Sequence, residues 1–325
     1  MKFMIRMIRM SLCSLIVTFG IYLPLVQAQT FPNKPIHIVI PFAPGGSTDT
    51  AARIISDKLK DIWGQPVIVD TKPGANTIIG TDAVAKSPGD GYTLLLTSTA
   101  FVVNPTMYSK LPYDPQNDLI PVTNVSITSF AIVAAGDYPI KTIKELIALE
   151  KSKPGSVSFG TSDSSAEFVG HLFNMLAKVN MQGLSYKGAG PMMTDVAGGH
   201  VPIGIAAISS VQGQIKAGRV KMLGLASSKP STLFPDAPPL ALSELPGFEA
   251  GTWFGFFVPK GTPKEIINKL HRDVATVLKD PEIQKRFAEL GAETGGQSPE
   301  EFGAIVKKEM LLWKKVGEAA NIKPQ

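Results

Sequence analysis

Residues 36–63 have the sequence IHIVIPFAPGGSTDTAARIISDKLKDIW, and this stretch decides the fold. The apolar run 36–40 predicts a buried β-strand that ends at Pro41. A turn built from Pro44, Gly45 and Gly46 follows, and apolar residues at helical spacing then predict a helix over residues 48–63. A strand that enters a helix through a glycine-rich turn is typical of α/β sheets.

The ends of this helix carry their own signals. Ser47, Thr48 and Asp49 are candidate N-cap side chains, and Gly64 stands at the position that favours a C-terminal glycine. The turn places main-chain N–H groups at the positive end of the helix dipole, which is a geometry that binds anions. An ordinary strand-to-helix turn, whose glycines only permit tight packing, is the alternative interpretation.

The first 28 residues have the features of a secretory signal peptide. Lys2, Arg6 and Arg9 form a basic start, an apolar stretch follows, and Val26-Gln27-Ala28 predicts cleavage after Ala28. An uncleaved membrane anchor is the alternative. Polar residues and a proline interrupt the apolar stretch, which favours cleavage and export to the periplasm.

The composition excludes several classes of protein. Cys13, the only cysteine, lies inside the predicted leader, so the mature chain is expected to have neither thiol chemistry nor disulfides. Removing the leader takes three positive charges from a formal net charge of +5 and leaves +2, which is too little to indicate nucleic-acid binding. The remaining length is enough for two modest α/β domains, and we expect a monomer.

Strand-like and helical patterns alternate along the chain, which predicts parallel βαβ construction. Two extended stretches, residues 121–135 and 251–259, are predicted to cross between domains. We therefore expect a discontinuous first domain of residues 29–129 and 253–325, and a second domain of residues 130–252. Two crossings make a hinge, and a cleft between two lobes suits the enclosure of a small molecule.

Turns rich in glycine and small hydroxyl residues follow several predicted strands, at residues 72–76, 97–99, 160–165 and 186–191. Because ligands bind beyond the carboxyl ends of strands in open parallel sheets, we expect these turns to face one crevice. They are poor in charge, which suits a carboxylate bound by N–H groups, hydroxyls and water. Each turn alone is equally compatible with a solvated loop. Lys187 is either a partner of a ligand carboxylate or a solvated lysine.

Six motifs resemble, in order, the signatures of one family. They are IVIPFAPGGSTDTAAR, KPGANTIIG, PGDGYTLLL, NPTMYSKLPYDPQNDLIPV, LSYKGAGP and WFGFFVPKGTP, and the resemblance covers nearly the whole chain after residue 31. The family is that of the extracytoplasmic solute receptors of tripartite tricarboxylate transporters, the TctC-like proteins or Bug receptors.

The resemblance implies a type II-like periplasmic binding protein fold, with two doubly wound α/β lobes joined by two crossing segments around a ligand cleft. It implies a receptor that captures a small organic acid and delivers it to the large and small membrane subunits of a transporter, with no catalytic residue, metal or cofactor. The ligand-binding residues that it implies are Phe42, Pro44, Gly45, Gly46, Ser47, Thr48, Pro73, Gly74, Ala75, Asn76, Thr77, Thr97, Ser98, Thr99, Ser162, Asp163, Ser164, Ser165, Tyr186, Lys187 and Gly188.

The chain departs from the family pattern in ways that bear on the ligand. Asn76 and Thr77 stand where the family usually has two glycines, so they add side chains to the second loop. Glu167 stands near the place of a family histidine, and its negative charge would repel a second ligand carboxylate unless the side chain points away. Residues 203–208 are more apolar than usual. These departures shift the expectation from citrate towards a monocarboxylate, an aromatic or hydrophobic acid, or an amide-bearing acid.

Other classes of protein leave weaker signals. An α/β enzyme that acts on a small carboxylate is the main alternative, but the sequence has neither a GxSxG nor a GxxxxGK[ST] motif. The four histidines lack metal-ligand spacing. Capping and turn formation explain Asp49 and Asp163 better than a role as catalytic base. A ligand-sensing receptor of a signalling system and an envelope interaction protein stay open.

Overall fold

The computed structural model describes residues 31–231, 234–319 and 322–324. The chain divides into a unit of residues 1–33, of which only 31–33 are described, and a unit of residues 34–325, which contains all the elements of the fold. The predicted signal peptide and its cleavage position lie outside the described residues. Within the described part of the chain, every helix is too short or too polar to cross a bilayer.

Strands and helices alternate through most of this unit. The strands are β1 (Ile36–Ile40), β2 (Val67–Thr71), β3 (Thr93–Ser98), β4 (Leu119–Ala135), β5 (Ser158–Thr161), β6 (Gln182–Ser185), β7 (Ile203–Ala207), β8 (Val220–Leu225), β9 (Gly251–Pro259) and β10 (Glu293–Thr294). The helices are α1 (Ser47–Trp63), α2 (Ile78–Ala85), α3 (Ala100–Met107), α4 (Ile143–Ser152), α5 (Ser164–Ala177), α6 (Ala189–Ala197), α7 (Ile208–Lys216), α8 (Lys264–Leu278), α9 (Pro281–Glu289) and α10 (Pro299–Ala319).

The strands form a continuous sheet in the order β2-β1-β3-β9-β4-β7-β5-β6, and β8 and β10 both pair with β4. Strand β4 belongs to both ends of the sheet, because residues 119–129 pair with β9 and residues 130–134 pair with β7. We call β1–β3, β9 and β10 with α1–α3 and α8–α10 the first half. The second half consists of β5–β8 with α4–α7.

Each half has its own buried aromatic core. In the first half, the ring of Phe257 lies 4.8 Å from that of Phe101 and 5.4 Å from that of Phe302, measured between centroids. In the second half, Phe173 packs edge-on against Phe248 at 5.8 Å. Strand β4 changes partner between Ser129 and Phe130, where the sequence predicts a domain boundary. The division into two domains stays a prediction, because residues 34–325 form one compact unit.

Parallel construction holds only within each half. Strand β1 is parallel to β2 and β3, and β5 is parallel to β6 and β7. The βαβ construction expected from the sequence does not extend to β4, β8, β9 and β10, which pair antiparallel. The two crossing strands must run in opposite directions, since the chain leaves the first half along β4 and returns along β9.

Local signals at the helix ends have mixed outcomes. Gly64 adopts the left-handed conformation expected at the end of α1, with φ of 61°. The predicted side-chain caps of α1 are wrong, because Gly46 is the N-cap residue and makes no side-chain cap bond. Asp49 instead accepts the Gly45 N–H at 3.1 Å and the Arg53 Nε–H at 2.9 Å, so it stabilises the turn from inside the helix.

The close packing of β9 against α10 yields a stability prediction. A Cβ at Gly255 would lie 2.3 Å from Cζ of the buried Phe302 ring. We expect Gly255→Ala to lower the free energy of unfolding by about 1–3 kcal/mol through overpacking. Urea denaturation measures this change, and adding Phe302→Leu should recover part of the loss because leucine is smaller. Undiminished stability of Gly255→Ala would contradict the packing described here.

Candidate ligand-binding cleft

The carboxyl ends of the parallel strands in the two halves face each other. The loop after β1 meets the loop after β6, where the Ala43 N–H donates to the Lys187 carbonyl at 2.7 Å. At the start of α1, the Ser47 N–H donates to Ser210 Oγ at 3.2 Å, and that hydroxyl donates back to Ser47 Oγ at 2.7 Å. The two halves are therefore in direct contact across the cleft.

A cavity of about 180 Å³ lies between the halves. This volume suits a small metabolite and is below the range of drug-sized pockets. The first half contributes Pro41, Phe42, Gly74, Ala75, Asn76, Thr77 and Tyr108, and the second half contributes Ser162, Ser185, Tyr186 and Lys187.

A second and much smaller cavity of about 20 Å³ shares Phe42 and Ser162 with the first. It has room for about one water molecule. Its other lining residues are Gly46, Ser47, Thr48, Phe130, Asp163, Ala189, Ala207, Ser210, Thr252 and Phe254.

The wall formed by residues 74–77 has an unusual backbone. Gly74 has φ of 133°, and Ala75, Asn76 and Thr77 follow with φ of 45°, 48° and 75°. The right-handed helix α2 begins only at Ile78 for this reason. Left-handed backbone costs about 1–2 kcal/mol for each non-glycine residue, and such strain is concentrated at functional sites.

The main-chain donors of this left-handed turn belong to residues that line the cavity. Among the hydrogen bonds of the described residues, none uses the N–H groups of residues 74–77. The N–H groups of Gly46 and Thr48, at the start of α1 in the smaller cavity, also have no partner within the described chain. Buried main-chain N–H groups require a partner, and convergent ones form anion sites.

Two tyrosines add neutral hydroxyls to the wall of the larger cavity. Burial raises the pKa of Tyr108, and the nearby negative charge of Glu167 raises it further, whereas the hydrogen bond from Asn76 opposes the shift. Burial also raises the pKa of Tyr186 to about 12, helped by the bond that its hydroxyl donates to Asp195 at 2.7 Å. Both phenols are therefore protonated at neutral pH.

Charged side chains stand at the cavity edge in the second half. Lys187 lines the cavity and is exposed, and the ion pairs of the described residues do not involve it. Glu167 accepts the Ser185 hydroxyl at 3.2 Å, and Ser185 lines the cavity. The Glu167 carboxylate is therefore directed towards the cavity edge. Its negative charge contributes to the raised pKa of Tyr108 on the other side of the cleft.

The structure brings most of the expected ligand-binding residues to these two cavities. Those that line one of them are Phe42, Gly46, Ser47, Thr48, Gly74, Ala75, Asn76, Thr77, Ser162, Asp163, Tyr186 and Lys187. Those that line neither are Pro44, Gly45, Pro73, Thr97, Ser98, Thr99, Ser164, Ser165 and Gly188.

The hydroxyls of Ser98 and Thr99, at the end of β3, bond to other groups of the protein instead. Ser98 donates to Asp163 at 3.0 Å, which joins the two halves, and Asp163 also accepts the Ala166 N–H as the N-cap of α5. Thr99 Oγ1 accepts from the Thr252 hydroxyl at 3.0 Å and from the Trp253 N–H at 3.2 Å. The bond from Ser98 to Asp163 therefore joins the two halves beside the smaller cavity, whereas the bonds of Thr99 lie within the first half.

Sequence reasoning missed several lining residues. Tyr108 lies inside the quoted motif NPTMYSKLPY, and Ser185 directly precedes the expected Tyr186, so both were within reach of the motifs. Ser210 carries no comparable signal, since it lies in a run of small residues after β7. The remaining missed residues are Pro41, Phe130, Ala189, Ala207, Thr252 and Phe254.

Comparison with known proteins gives a consistent result. The profile of the family described as "Tripartite tricarboxylate transporter family receptor" matches residues 51–322. Protein BugT of Bordetella pertussis is 36% identical over 302 residues, which are 92% of this chain and 92% of BugT.

Solved structures resemble the whole described fold. The periplasmic binding protein BugD matches with a TM-score of 0.87 and 33% identity over 91% of this chain and 100% of BugD. A protein of R. palustris solved with adipate matches at 0.88 and 30% identity, over 91% of this chain and 100% of that protein. MatC from Rhodopseudomonas palustris, solved with bound malate, matches at 0.84 and 28% identity, over 88% and 100%. The chain therefore belongs to the tripartite tricarboxylate transporter receptor family, with the fold of the Bug periplasmic binding proteins.

Proposed function

We propose that this protein is an exported solute receptor that binds a small organic acid in the cavity between its halves. One ligand carboxylate accepts hydrogen bonds from the N–H groups of residues 74–77. The main support is that these four donors line the cavity without a partner in the described chain. The bound carboxylates in the R. palustris relatives agree with this chemistry.

The mechanism is closure around the acid. Only the closed arrangement brings both halves to the ligand, so binding shifts the population from open to closed. The closed form then docks on the membrane subunits of a tripartite tricarboxylate-type transporter and releases the acid. The proposed cycle includes no chemical conversion of the acid. The groups proposed to contact it are main-chain N–H donors, which bind a carboxylate without reacting with it.

Organic acids and their uncharged amides, compared in pairs, test whether the protein recognises a carboxylate. The protein is titrated with malate, adipate, hexanoate and benzoate, and each tight-binding acid is compared with its uncharged amide. We expect at least one acid to raise the melting temperature by several degrees at saturation, because a ligand of the native state stabilises by RT ln(1 + [L]/Kd). Its amide should give little shift. Equal shifts from acid and amide, or conversion of the acid to a product, would contradict the proposal.

Closure depends on a glycine in the first turn of α6. A Cβ at Gly190 would lie 2.6 Å from the Pro44 carbonyl oxygen of the opposite half. We expect Gly190→Ala to weaken binding of the best acid at least about tenfold, because the halves can no longer approach. Calorimetry measures the affinity, and small-angle scattering measures the compaction.

Gly213→Ala is the matched control, because Gly213 is also helical and a Cβ there has nothing within 4 Å. The control should bind as the wild type does. Wild-type affinity and compaction in Gly190→Ala would argue against closure.

The Glu167 carboxylate restricts the far end of the ligand. Since it lies beside Ser185 at the cavity edge, it disfavours a second carboxylate, and the preferred acid has a neutral or hydrogen-bond-donating far end. We expect Glu167→Gln to strengthen adipate binding about threefold, the size expected for a partly solvated charge pair. Hexanoate binding should not change.

Glu145→Gln serves as the control, since Glu145 is an exposed residue at the start of α4. Glutamine at position 167 keeps an acceptor for Ser185, so packing is conserved. Unchanged or weaker adipate binding in Glu167→Gln would show that the carboxylate does not act on the ligand.

A further inference from the structure

A chain of buried hydrogen bonds crosses the cleft behind the larger cavity. Its centre is Asn104 of α3, in the first half, which has no exposed surface. Ser164, in the first turn of α5 in the second half, is buried to the same extent. The Ser164 hydroxyl donates to Asn104 Oδ1. One side-chain amide is therefore the point at which α5 of the second half is hydrogen-bonded to α3 of the first.

The other end of the same amide holds the left-handed turn. Asn104 Nδ2 donates to the Asn76 carbonyl at 2.8 Å and to Thr77 Oγ1 at 3.2 Å. The orientation of the amide follows from its partners, because a main-chain carbonyl oxygen can only accept and so must face the NH₂ group. The oxygen of Asn104 is then left for Ser164.

The turn that Asn104 holds is strained. Ala75, Asn76 and Thr77 all have positive φ, which non-glycine residues rarely adopt in succession. The Asn76 side chain donates to the Tyr108 hydroxyl at the end of α3, so α3 holds this turn from two positions. Strained backbone persists only where its surroundings fix it.

We infer that Asn104 is a positioning residue that couples closure of the two halves to the ligand-ready conformation of residues 74–77. This inference rests on the proposed function, because it assigns the turn to ligand binding. When the halves separate, Asn104 loses the Ser164 hydroxyl, and water takes the place of the partner that held the amide in one orientation. Closure restores that bond and fixes the amide that orders the turn. Coupling between two such events is reciprocal, so an ordered turn also favours closure.

Two buried serines provide a matched test of the link across the cleft. Ser164→Ala removes the bond to Asn104. Ser56→Ala removes the bond from the Ser56 hydroxyl to the Ala52 carbonyl, which lies within α1 of the first half, at a position with 6% exposure. Calorimetric titration with adipate and hexanoate should show affinity reduced about fivefold in Ser164→Ala and nearly unchanged in Ser56→Ala. Equal affinities for the two variants would overturn the inference.

A second measurement requires no ligand. The Ile78 N–H donates to the Ala75 carbonyl at 3.0 Å, so exchange of the Ile78 amide hydrogen reports on the turn. We expect Asn104→Ala to speed this exchange at least about tenfold. Exchange at Gly64, whose N–H donates to the Lys60 carbonyl at the end of α1, should stay the same. Unchanged exchange at Ile78 would overturn the assignment of Asn104.

The two measurements separate this inference from the proposed function. If neither acid binds the wild-type protein, the proposed function fails while hydrogen exchange still decides whether Asn104 orders the turn. If the acids bind but Ser164→Ala binds them as the wild type does, the proposed function survives and the coupling fails.

Discussion

The main-chain N–H groups of residues 74–77 set the constraint on which the rest of the structure depends. A donor that is removed from water without a partner is unfavourable by about 1–3 kcal/mol. The four N–H groups here have no partner within the described chain, and two of them belong to the buried residues Gly74 and Thr77. The left-handed backbone that places them together is strained as well. An acidic solute that accepts hydrogen bonds from several of these N–H groups at once offsets both unfavourable terms.

The contacts across the cleft suit a receptor that must open again. Several of them join main-chain groups and small hydroxyls, such as the bond from Ala43 to Lys187 and the pair of Ser47 with Ser210. In addition, Ser98 donates to the Asp163 carboxylate, and the Phe168 ring packs edge-on against Trp313 at 5.3 Å. The neutral hydrogen bonds among these contacts contribute modestly, about 0.5–1.5 kcal/mol each. A charged ligand adds the larger, charge-assisted hydrogen bonds, so the free energy of closure depends on whether an acid is present. The aromatic cores within each half do not take part in this balance.

Much of this arrangement could be predicted from the sequence. The turn after β1 and the two crossing stretches were predicted, because glycine turns, apolar runs and ordered motifs can be recognised within short stretches of sequence. Helix α3 was missed, since Pro105 lies inside it, and β6 was missed because all of its residues are exposed. Ser98 and Thr99 were expected in the site, but the Ser98 hydroxyl bonds to Asp163, and the Thr99 hydroxyl accepts from Thr252 and Trp253. The hydroxyl of Thr97, which was also expected there, is buried without a partner among the described residues. Which way a short side chain turns depends on partners that are distant in sequence, and no local pattern contains that information.

The most direct test of the central claim is a titration of the ¹⁵N-labelled protein with its tightest-binding acid, followed by amide NMR. The account predicts that the amide protons of Gly74, Ala75, Asn76 and Thr77 move downfield together as the acid saturates the site, because charge-assisted hydrogen bonds form at these four groups. Saturation that shifts other amides while these four stay at their ligand-free positions would contradict it.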